Sequence, residues 1–133
     1  MAEANRVSKR YTDVKIDLAV HPVTGDVALN SNAAAVKSSV KNLLLTGKYE
    51  RFYRPYVGSG LQKYLFEPVS PATAELIRES IAETVKNFEP RASLISIEVK
   101  VVPDDNAYSA TVKFGILNLP DVVVLEQIIE RAR

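Results

Sequence analysis

The chain has 133 residues, a length that fits one compact domain and is too short for two ordinary ones. Its composition, with 47% hydrophobic and 25% charged residues, is that of a globular protein and excludes collagen-like and disordered chains. A net charge of +1 gives no broad attraction to nucleic acid or to an anionic membrane, so we expect partner recognition to be local.

The absence of cysteine and of long apolar stretches indicates the cellular compartment in which we expect the protein. The sequence has no cysteine, which excludes disulfides and thiolate chemistry and favours a reducing cytoplasm. No stretch approaches the roughly 20 apolar residues of a membrane-spanning helix, and the polar N-terminus resembles no targeting signal. We predict a flexible tail over residues 1–10 and a single domain over residues 11–133.

The first part of the domain predicts a small hairpin and then a helix. Apolar and polar residues alternate over residues 11–20, as on a half-buried strand, and residues 27–29 follow a turn region as a short return strand. Asn30, Ser31 or Asn32 is expected to cap the helix that comes next. Its apolar face consists of residues at helical spacing: Val36, Val40, Leu43 and Leu44.

Residues 48–60 have no regular period and predict a long loop. Loops of this length in small domains are commonly functional, and Tyr and Arg are enriched at protein interfaces. Two interpretations stay open: the loop contacts a partner, or its aromatic rings cover the core. The loop crowds aromatic and basic side chains together: Tyr49, Phe52, Tyr53, Tyr56, Arg51 and Arg54.

A second helix is predicted from Ser70-Pro71, where a serine N-cap precedes a proline in the first turn. It must end before Pro90, because proline does not continue the helical hydrogen bonds and pushes the preceding residue toward extended geometry. The segment Glu89-Pro90-Arg91 therefore predicts a rigid corner that directs two charged side chains. These side chains either contact a partner, or they pair with each other and cap the helix end.

The C-terminal part predicts a hairpin and a final helix. Residues 94–102 and 108–117 both alternate, and the turn formers of residues 103–106 join them. One hairpin strand lies at an exposed edge, or both strands are paired inside the core; the sequence leaves both possible. A short C-terminal helix is expected, with Asp121 as a candidate cap. It rests on four apolar residues: Val122, Leu125, Ile128 and Ile129.

Few residues could carry chemistry. A metal centre or a hydrolytic triad lacks parts, because the sequence has one His, no Cys and no G-x-S-x-G segment. No phosphate-binding glycine motif is present, and we expect no cofactor. A glycosidase needs only two carboxylates, for which Glu67 and Glu89 are the candidates, but the sequence has no Trp to stack a sugar. We therefore expect a protein without enzymatic activity and without catalytic residues.

Seven short segments keep a characteristic order and spacing along the chain: Tyr11-Thr12-Asp13, Gly25-Asp26-Val27, residues 36–44, Phe52-Tyr53-Arg54-Pro55, Gly58-Ser59-Gly60-Leu61, Leu65-Phe66-Glu67 and Asn87-Phe88-Glu89-Pro90-Arg91. Together they resemble the baseplate wedge sheath-initiator family of contractile phage tails, whose signature is Glu-Pro-Arg. The family includes a type VI secretion baseplate subunit, and its fold is shared by an anti-adaptor that protects a stress sigma factor. Some members carry a lysozyme label.

The resemblance implies an α+β fold, with a small, mostly antiparallel sheet packed against two or three helices. It implies a structural role, as a template on which the first ring of tail sheath subunits assembles by strand addition. The implied partners are other baseplate wedge subunits and the tail sheath protein, with the tail tube or hub as further candidates and with no nucleic acid or membrane. Six copies per baseplate, assembled in the host cytoplasm into the virion tail, are expected. The alternatives are a type VI secretion baseplate subunit, an anti-adaptor-like regulator and, less favoured, a muralytic glycosidase.

The resemblance also implies that the Glu-Pro-Arg corner lies at the junction with other wedge subunits. There the planar guanidinium of Arg91, which we expect to project from the corner, could hold a carboxylate or carbonyl groups with two hydrogen bonds. The aromatic and basic loop adds further candidates. The predicted protein interface consists of Glu89, Pro90, Arg91, Arg54, Tyr53 and Tyr56.

Overall fold

The computed structural model describes residues 11–15, 17–120 and 122–130, which form a single α+β domain, as predicted. A pair of short strands comes first, β1 (Thr12–Val14) and β2 (Leu29–Ser31). Three helices follow: α1 (Asn32–Leu45), α2 (Leu61–Leu65) and α3 (Pro71–Phe88). The C-terminal part supplies three longer strands: β3 (Ala92–Val102), β4 (Ala107–Ile116) and β5 (Val122–Glu130).

The two long helices confirm their predictions. The four predicted apolar residues of α1 are buried. At the start of α3, Ser70 Oγ accepts a hydrogen bond from the Thr73 amide at 3.1 Å, and Pro71 is the first helical residue. The helix ends at Phe88, because Pro90 prevents a further turn. None of the described helices is both long and apolar enough to cross a membrane.

The predicted hairpin is the β3–β4 pair of a three-stranded antiparallel sheet in the order β3-β4-β5. A 3₁₀ turn at Pro103–Asp105 and Asn106 in the left-handed conformation (φ 48°) connect the two strands. β4 is central, and alternate residues of it lie fully buried beneath the helices: Tyr108, Ala110, Val112 and Phe114. Burial of each larger side chain among these stabilises the fold by roughly 1.5–3 kcal/mol.

The prediction of a C-terminal helix is wrong, since residues 122–130 form β5 and pair with β4 in a continuous antiparallel register. The β-branched residues at 122–124 and 128–129 fit a pleated strand better than a helix, and β4 offers an edge to pair with. The candidate cap Asp121 lies outside the described residues. Three residues of β5 are buried and alternate with exposed ones: Val123, Leu125 and Ile129.

The predicted N-terminal hairpin is present, but its first strand is much shorter than the alternating pattern. β1 pairs with β2, while Val20 and Val27 form only an isolated bridge. Leu18 is left-handed (φ 50°), and both Leu18 and Val20 are largely exposed, so this stretch is a loop and not a half-buried strand. The alternation of apolar and polar residues in this stretch therefore does not correspond to a buried face.

Some N-terminal predictions fall on parts that the structure leaves undescribed. The predicted tail over residues 1–10 and the strand residue Ile16 lie outside the described residues, as do the side chains of Asn30 and Ser31. Asn32 is the first residue of α1, and its Oδ1 accepts a hydrogen bond from the Tyr11 amide at 3.3 Å. This contact joins α1 to the chain just before β1.

Candidate protein interface

The Glu-Pro-Arg corner exists, and its two charged side chains face each other. Glu89 follows α3 directly, and its side chain is only 3% exposed. Arg91 Nε donates to Glu89 Oε1 at 2.6 Å and Arg91 Nη2 donates to Oε2 at 2.9 Å, so the guanidinium holds both carboxylate oxygens. Ser39 of α1 donates from its Oγ to Glu89 Oε2 at 2.5 Å. The corner therefore connects α1, α3 and the start of β3.

The surroundings of Glu89 favour its ionised form in spite of its burial. Removal from water by itself raises the pKa of a carboxyl group, but the hydrogen bonds from Arg91 and Ser39 and the charge of Arg91 outweigh that effect. The pKa of Glu89 is consequently lower than its ordinary value. The hydrogen bonds to Glu89 raise the pKa of Arg91 in turn. Both groups are charged at neutral pH.

Arg91 also connects the corner to the residue before β1 and to the residue after β4. Its guanidinium lies 5.6 Å from the centre of the Tyr11 ring, within the range of a cation–π contact. The Tyr11 hydroxyl donates to the Leu117 carbonyl at 3.3 Å, and the Leu117 amide donates to the Arg91 carbonyl at 3.0 Å. The Arg91 side chain is 30% exposed and turns back on Glu89, so it does not project freely as we expected. Of the two alternatives, the structure contains the internal pair.

The aromatic side chains of the loop are exposed, unlike the buried Glu89 of the corner. Phe52 and Tyr53 are 99% exposed, and Tyr49 and Tyr56 are largely exposed as well. The interpretation in which these rings cover the core is therefore wrong. Arg54 is also exposed. Exposed aromatic groups next to Arg are typical of the contact residues of protein interfaces.

A polar groove of about 560 Å³ lies between this loop and the helices. The loop contributes Arg51, Arg54 and Tyr56 to its wall. Ser39, which binds Glu89, lies on the opposite side. The groove therefore brings two of the predicted loop residues close to the corner, whereas Tyr53 does not line it. The remaining wall comes from β1, α1, the end of α3 and one more loop residue: Asp13, Val14, Asn42, Leu43, Asn87, Phe88 and Val57.

The two outer strands of the sheet present different edges. The register of β3 against β4 shifts between Leu94 and Ser96, a bulge that leaves Ile95 exposed, and Glu98 and Lys100 form an ion pair further along the strand. β5 pairs with β4 over its full length without a shift. A bulge is a device that protects a sheet edge, and β3 has one whereas β5 does not. Exposed charges do not distinguish the two strands, since β5 carries Glu126 and Glu130.

The carboxylates considered for hydrolysis do not form a suitable pair. A glycosidase requires one carboxylic acid with a raised pKa, whereas the pKa of Glu89 is lowered by Arg91 and Ser39. Glu67, the other candidate, is exposed. Within the described residues, no group of three His, Cys, Asp or Glu side chains is placed to hold a metal ion.

Two partners in this arrangement were missed by the sequence reasoning. Ser39 is one, although its position three residues after the buried Val36 and four after the buried Ala35 places it on the inner side of α1. The β5 edge is the other, and the β-branched residues at 122–124 and 128–129 were the usable signal in the sequence. Phe52, as exposed as Tyr53, was noted as part of the aromatic loop but not as an interface residue.

Comparison with solved structures identifies the fold. A protein named as a candidate tail lysozyme from Geobacter sulfurreducens superposes with a TM-score of 0.74 at 20% identity, over 80% of this chain and 97% of its own. A chain of the anti-feeding prophage baseplate superposes with a TM-score of 0.64 at 20% identity, over 93% and 88%. The fold is thus one that occurs in tail and baseplate proteins.

Sequence comparison then identifies the family. The model of the family "Baseplate wedge protein gp25" matches residues 30–118. The baseplate wedge protein gp25 of Enterobacteria phage T4 is 29% identical over 115 residues, which are 86% of each chain. The chain belongs to the baseplate wedge protein gp25 family, as its segments suggested, and is a structural baseplate protein of a contractile tail system.

Proposed function

We propose that the protein is a non-enzymatic wedge subunit whose sheet templates the first ring of tail sheath subunits, by accepting a strand from the sheath. The observation that carries the proposal is the free edge of β5, nine residues long and paired with β4 on one side only within the described chain. An edge strand exposes unpaired N–H and C=O groups, so an arriving strand binds through main-chain hydrogen bonds.

The choice of β5 over β3 follows from how each edge is built. The bulge in β3 interrupts the regular spacing that a new strand would need. β5 has an uninterrupted register and exposes Val122, Val124 and Ile128 on its outer face. These apolar side chains could pack against alternate residues of an added strand.

The attachment to the wedge is assigned to a different surface. We assign it to the corner formed by Glu89, Pro90 and Arg91 and to the loop that carries Arg54, Tyr53 and Tyr56. In support, Arg54 and Tyr56 line the same polar groove as Ser39, which binds Glu89. A six-fold symmetric baseplate contains the similar anti-feeding prophage chain, which supports six copies per baseplate. Assembly in the host cytoplasm and contact with the tube or hub remain parts of the proposal.

The decisive experiment blocks the β5 edge without damaging the core. In the double variant Val124→Lys/Ile128→Lys both replaced side chains are exposed, so the melting temperature should stay close to that of the parent. A phage or tail particle that carries it should form baseplates and tubes but no sheath. Ile95→Lys is the matched control, since Ile95 is an exposed isoleucine on the protected β3 edge, and it should form sheathed tails. Normal sheaths in the double variant would refute the role of β5.

The absence of enzymatic activity is tested separately with purified protein and peptidoglycan. We expect no hydrolysis. Cleavage that disappeared in Glu67→Gln or Glu89→Gln would overturn this part of the proposal.

A further inference from the structure

The tip of the aromatic loop is the most exposed apolar feature of the described chain. Phe52 and Tyr53 are adjacent and 99% exposed, more than any other large hydrophobic side chain in the regions that the structure describes. Neither lines the polar groove beside the loop. Apolar side chains that stay this exposed bury almost no surface when the chain folds. Their surface is removed from water only when a second molecule covers it.

The loop beneath this tip is firmly held. The Ser59 amide donates to the Thr46 carbonyl at 2.8 Å, and Ser59 Oγ donates to the Leu44 carbonyl at 2.7 Å in a buried position. Higher up, the Tyr49 amide donates across the loop to the Pro55 carbonyl at 2.7 Å. Hydrogen bonds therefore close the loop at two levels, directly below the two exposed rings.

Backbone geometry adds a further constraint at the base. Gly58 has a φ of 141°, and a Cβ there would lie 2.7 Å from the carbonyl oxygens of both Thr46 and Gly47. Tyr49 is left-handed (φ 72°), an uncommon conformation for such a residue. A chain that accepts these conformations to hold two apolar rings outward is preorganised, which lowers the entropy cost of binding.

The charges around the tip indicate the chemistry of the partner. Lys48, Arg51 and Arg54 lie close to the two rings in sequence, and all three are exposed. The acidic residue of the loop, Glu50, accepts two hydrogen bonds from its own chain. Its Oε2 accepts one from the Gly47 amide at 2.9 Å, and its Oε1 accepts one from Gln62 Nε2 at 2.9 Å. A loop that carries an apolar tip and neighbouring cations is complementary to an apolar pocket with carboxylates beside it.

We propose that Phe52 and Tyr53 insert as a preformed plug into an apolar pocket on another baseplate wedge subunit, with Asp or Glu side chains of that subunit around Arg51 and Arg54. The proposal deepens the wedge attachment described above and rests on it. Because the chain has a net charge of only +1, a protein pocket fits better than the phosphate backbone of a nucleic acid.

Affinity measurements with the purified wedge subunits of the same tail particle test the plug. Phe52→Ser/Tyr53→Ser should weaken binding by about 30-fold or more, because buried aromatic anchors dominate interface energies. Phe66→Ser removes another exposed phenylalanine and should leave the affinity unchanged. Both proteins should melt like the parent. Unchanged affinity in the double variant would overturn the proposal.

The acidic rim is tested by charge reversal. Arg51→Glu/Arg54→Glu should slow association and reduce its dependence on salt, whereas Lys37→Glu/Lys41→Glu on the exposed face of α1 should not. An equal effect of the two pairs would contradict a local acidic rim.

Photo-crosslinking identifies the occupant directly. With the photoreactive residue benzoylphenylalanine in place of Phe52, assembled baseplates should yield a crosslink to an apolar, Asp- or Glu-flanked segment of a wedge subunit. A crosslink to sheath protein or nucleic acid, or none at all, would refute the plug. The result is distinct from the β5 test, since plug variants should fail before wedges form and β5 variants should fail only when the sheath is added.

Discussion

The corner and the loop each place an arginine beside a proline, yet the two guanidinium groups have different surroundings. Arg91 follows Pro90 and gives its guanidinium to Glu89 of its own chain. Arg54 precedes Pro55 and remains exposed at the rim of the polar groove. The difference lies in the surroundings: Arg91 pairs with a buried carboxylate, whereas the part of the chain that the structure describes pairs Arg54 with none.

This contrast separates two kinds of contribution that look alike in sequence. A buried carboxylate is costly to leave unpaired, so the corner depends on Arg91 for stability before any partner arrives. The loop tip packs against nothing in the described chain, so its side chains are free to serve binding. Variants at the corner should therefore affect folding, and variants at the loop tip should affect assembly.

The largest effect on stability is expected at the corner. Arg91→Ala should lower the free energy of unfolding by about 3 kcal/mol, because it leaves the buried Glu89 carboxylate without its partner. Chemical denaturation measures this directly. Arg91→Lys, which keeps the charge but loses the planar fork, should fall between Ala and the parent.

The matched control for this prediction is Arg78→Ala. Arg78 Nε donates to Glu75 Oε1 at 2.9 Å on the exposed side of α3, so its loss should not change stability measurably. If both Ala variants were equally stable, the corner pair would be no more than a surface ion pair, and the contrast with the loop would disappear.

The next largest effect is expected at the base of the loop. Gly58→Ala forces a Cβ against the carbonyl oxygens of Thr46 and Gly47 and a conformation that Ala rarely adopts. The cost should be about 1–3 kcal/mol. Gly25→Ala is a useful comparison, because Gly25 also has a positive φ but open space around its Cβ position. Equal costs at the two positions would argue against close packing at the loop base.

A smaller effect should appear in the pH dependence of stability. The pKa of Glu89 in the folded protein is below its ordinary value of 4.5, so its contribution to stability is present above that pH and is lost as pH falls through the lowered pKa. The gap in free energy of unfolding between the parent and Glu89→Gln should therefore narrow in acid. Parallel curves would contradict a paired, ionised Glu89.

The smallest effect on stability is expected at the loop tip. Phe52→Ser and Tyr53→Ser should each change the free energy of unfolding by less than about 0.5 kcal/mol, since both rings are exposed. A loss above about 1 kcal/mol in the same denaturation assay would mean that the rings support the fold.

The sequence predicted those elements whose local signals agree with their packing. α3 has a capping serine, a first-turn proline, an apolar stripe and a terminating proline, and each acts as expected. β5 was mistaken for a helix because Leu125 and Ile129 lie four residues apart, a spacing that fits one face of a helix and also one face of a strand. Pairing with β4 makes the segment a strand. The partner of Arg91 was similarly open, because the choice between Glu89 and another subunit depends on the position of Ser39, 50 residues away.

The central claim, that β5 receives the sheath, is tested most directly by a cryo-EM structure of the sheathed baseplate that contains this chain. The account predicts a sheath strand hydrogen-bonded along the free edge of Val122–Glu130, with the aromatic loop buried in a wedge subunit away from that edge. A sheath strand added to β3, or a β5 edge that no sheath segment touches, would contradict it.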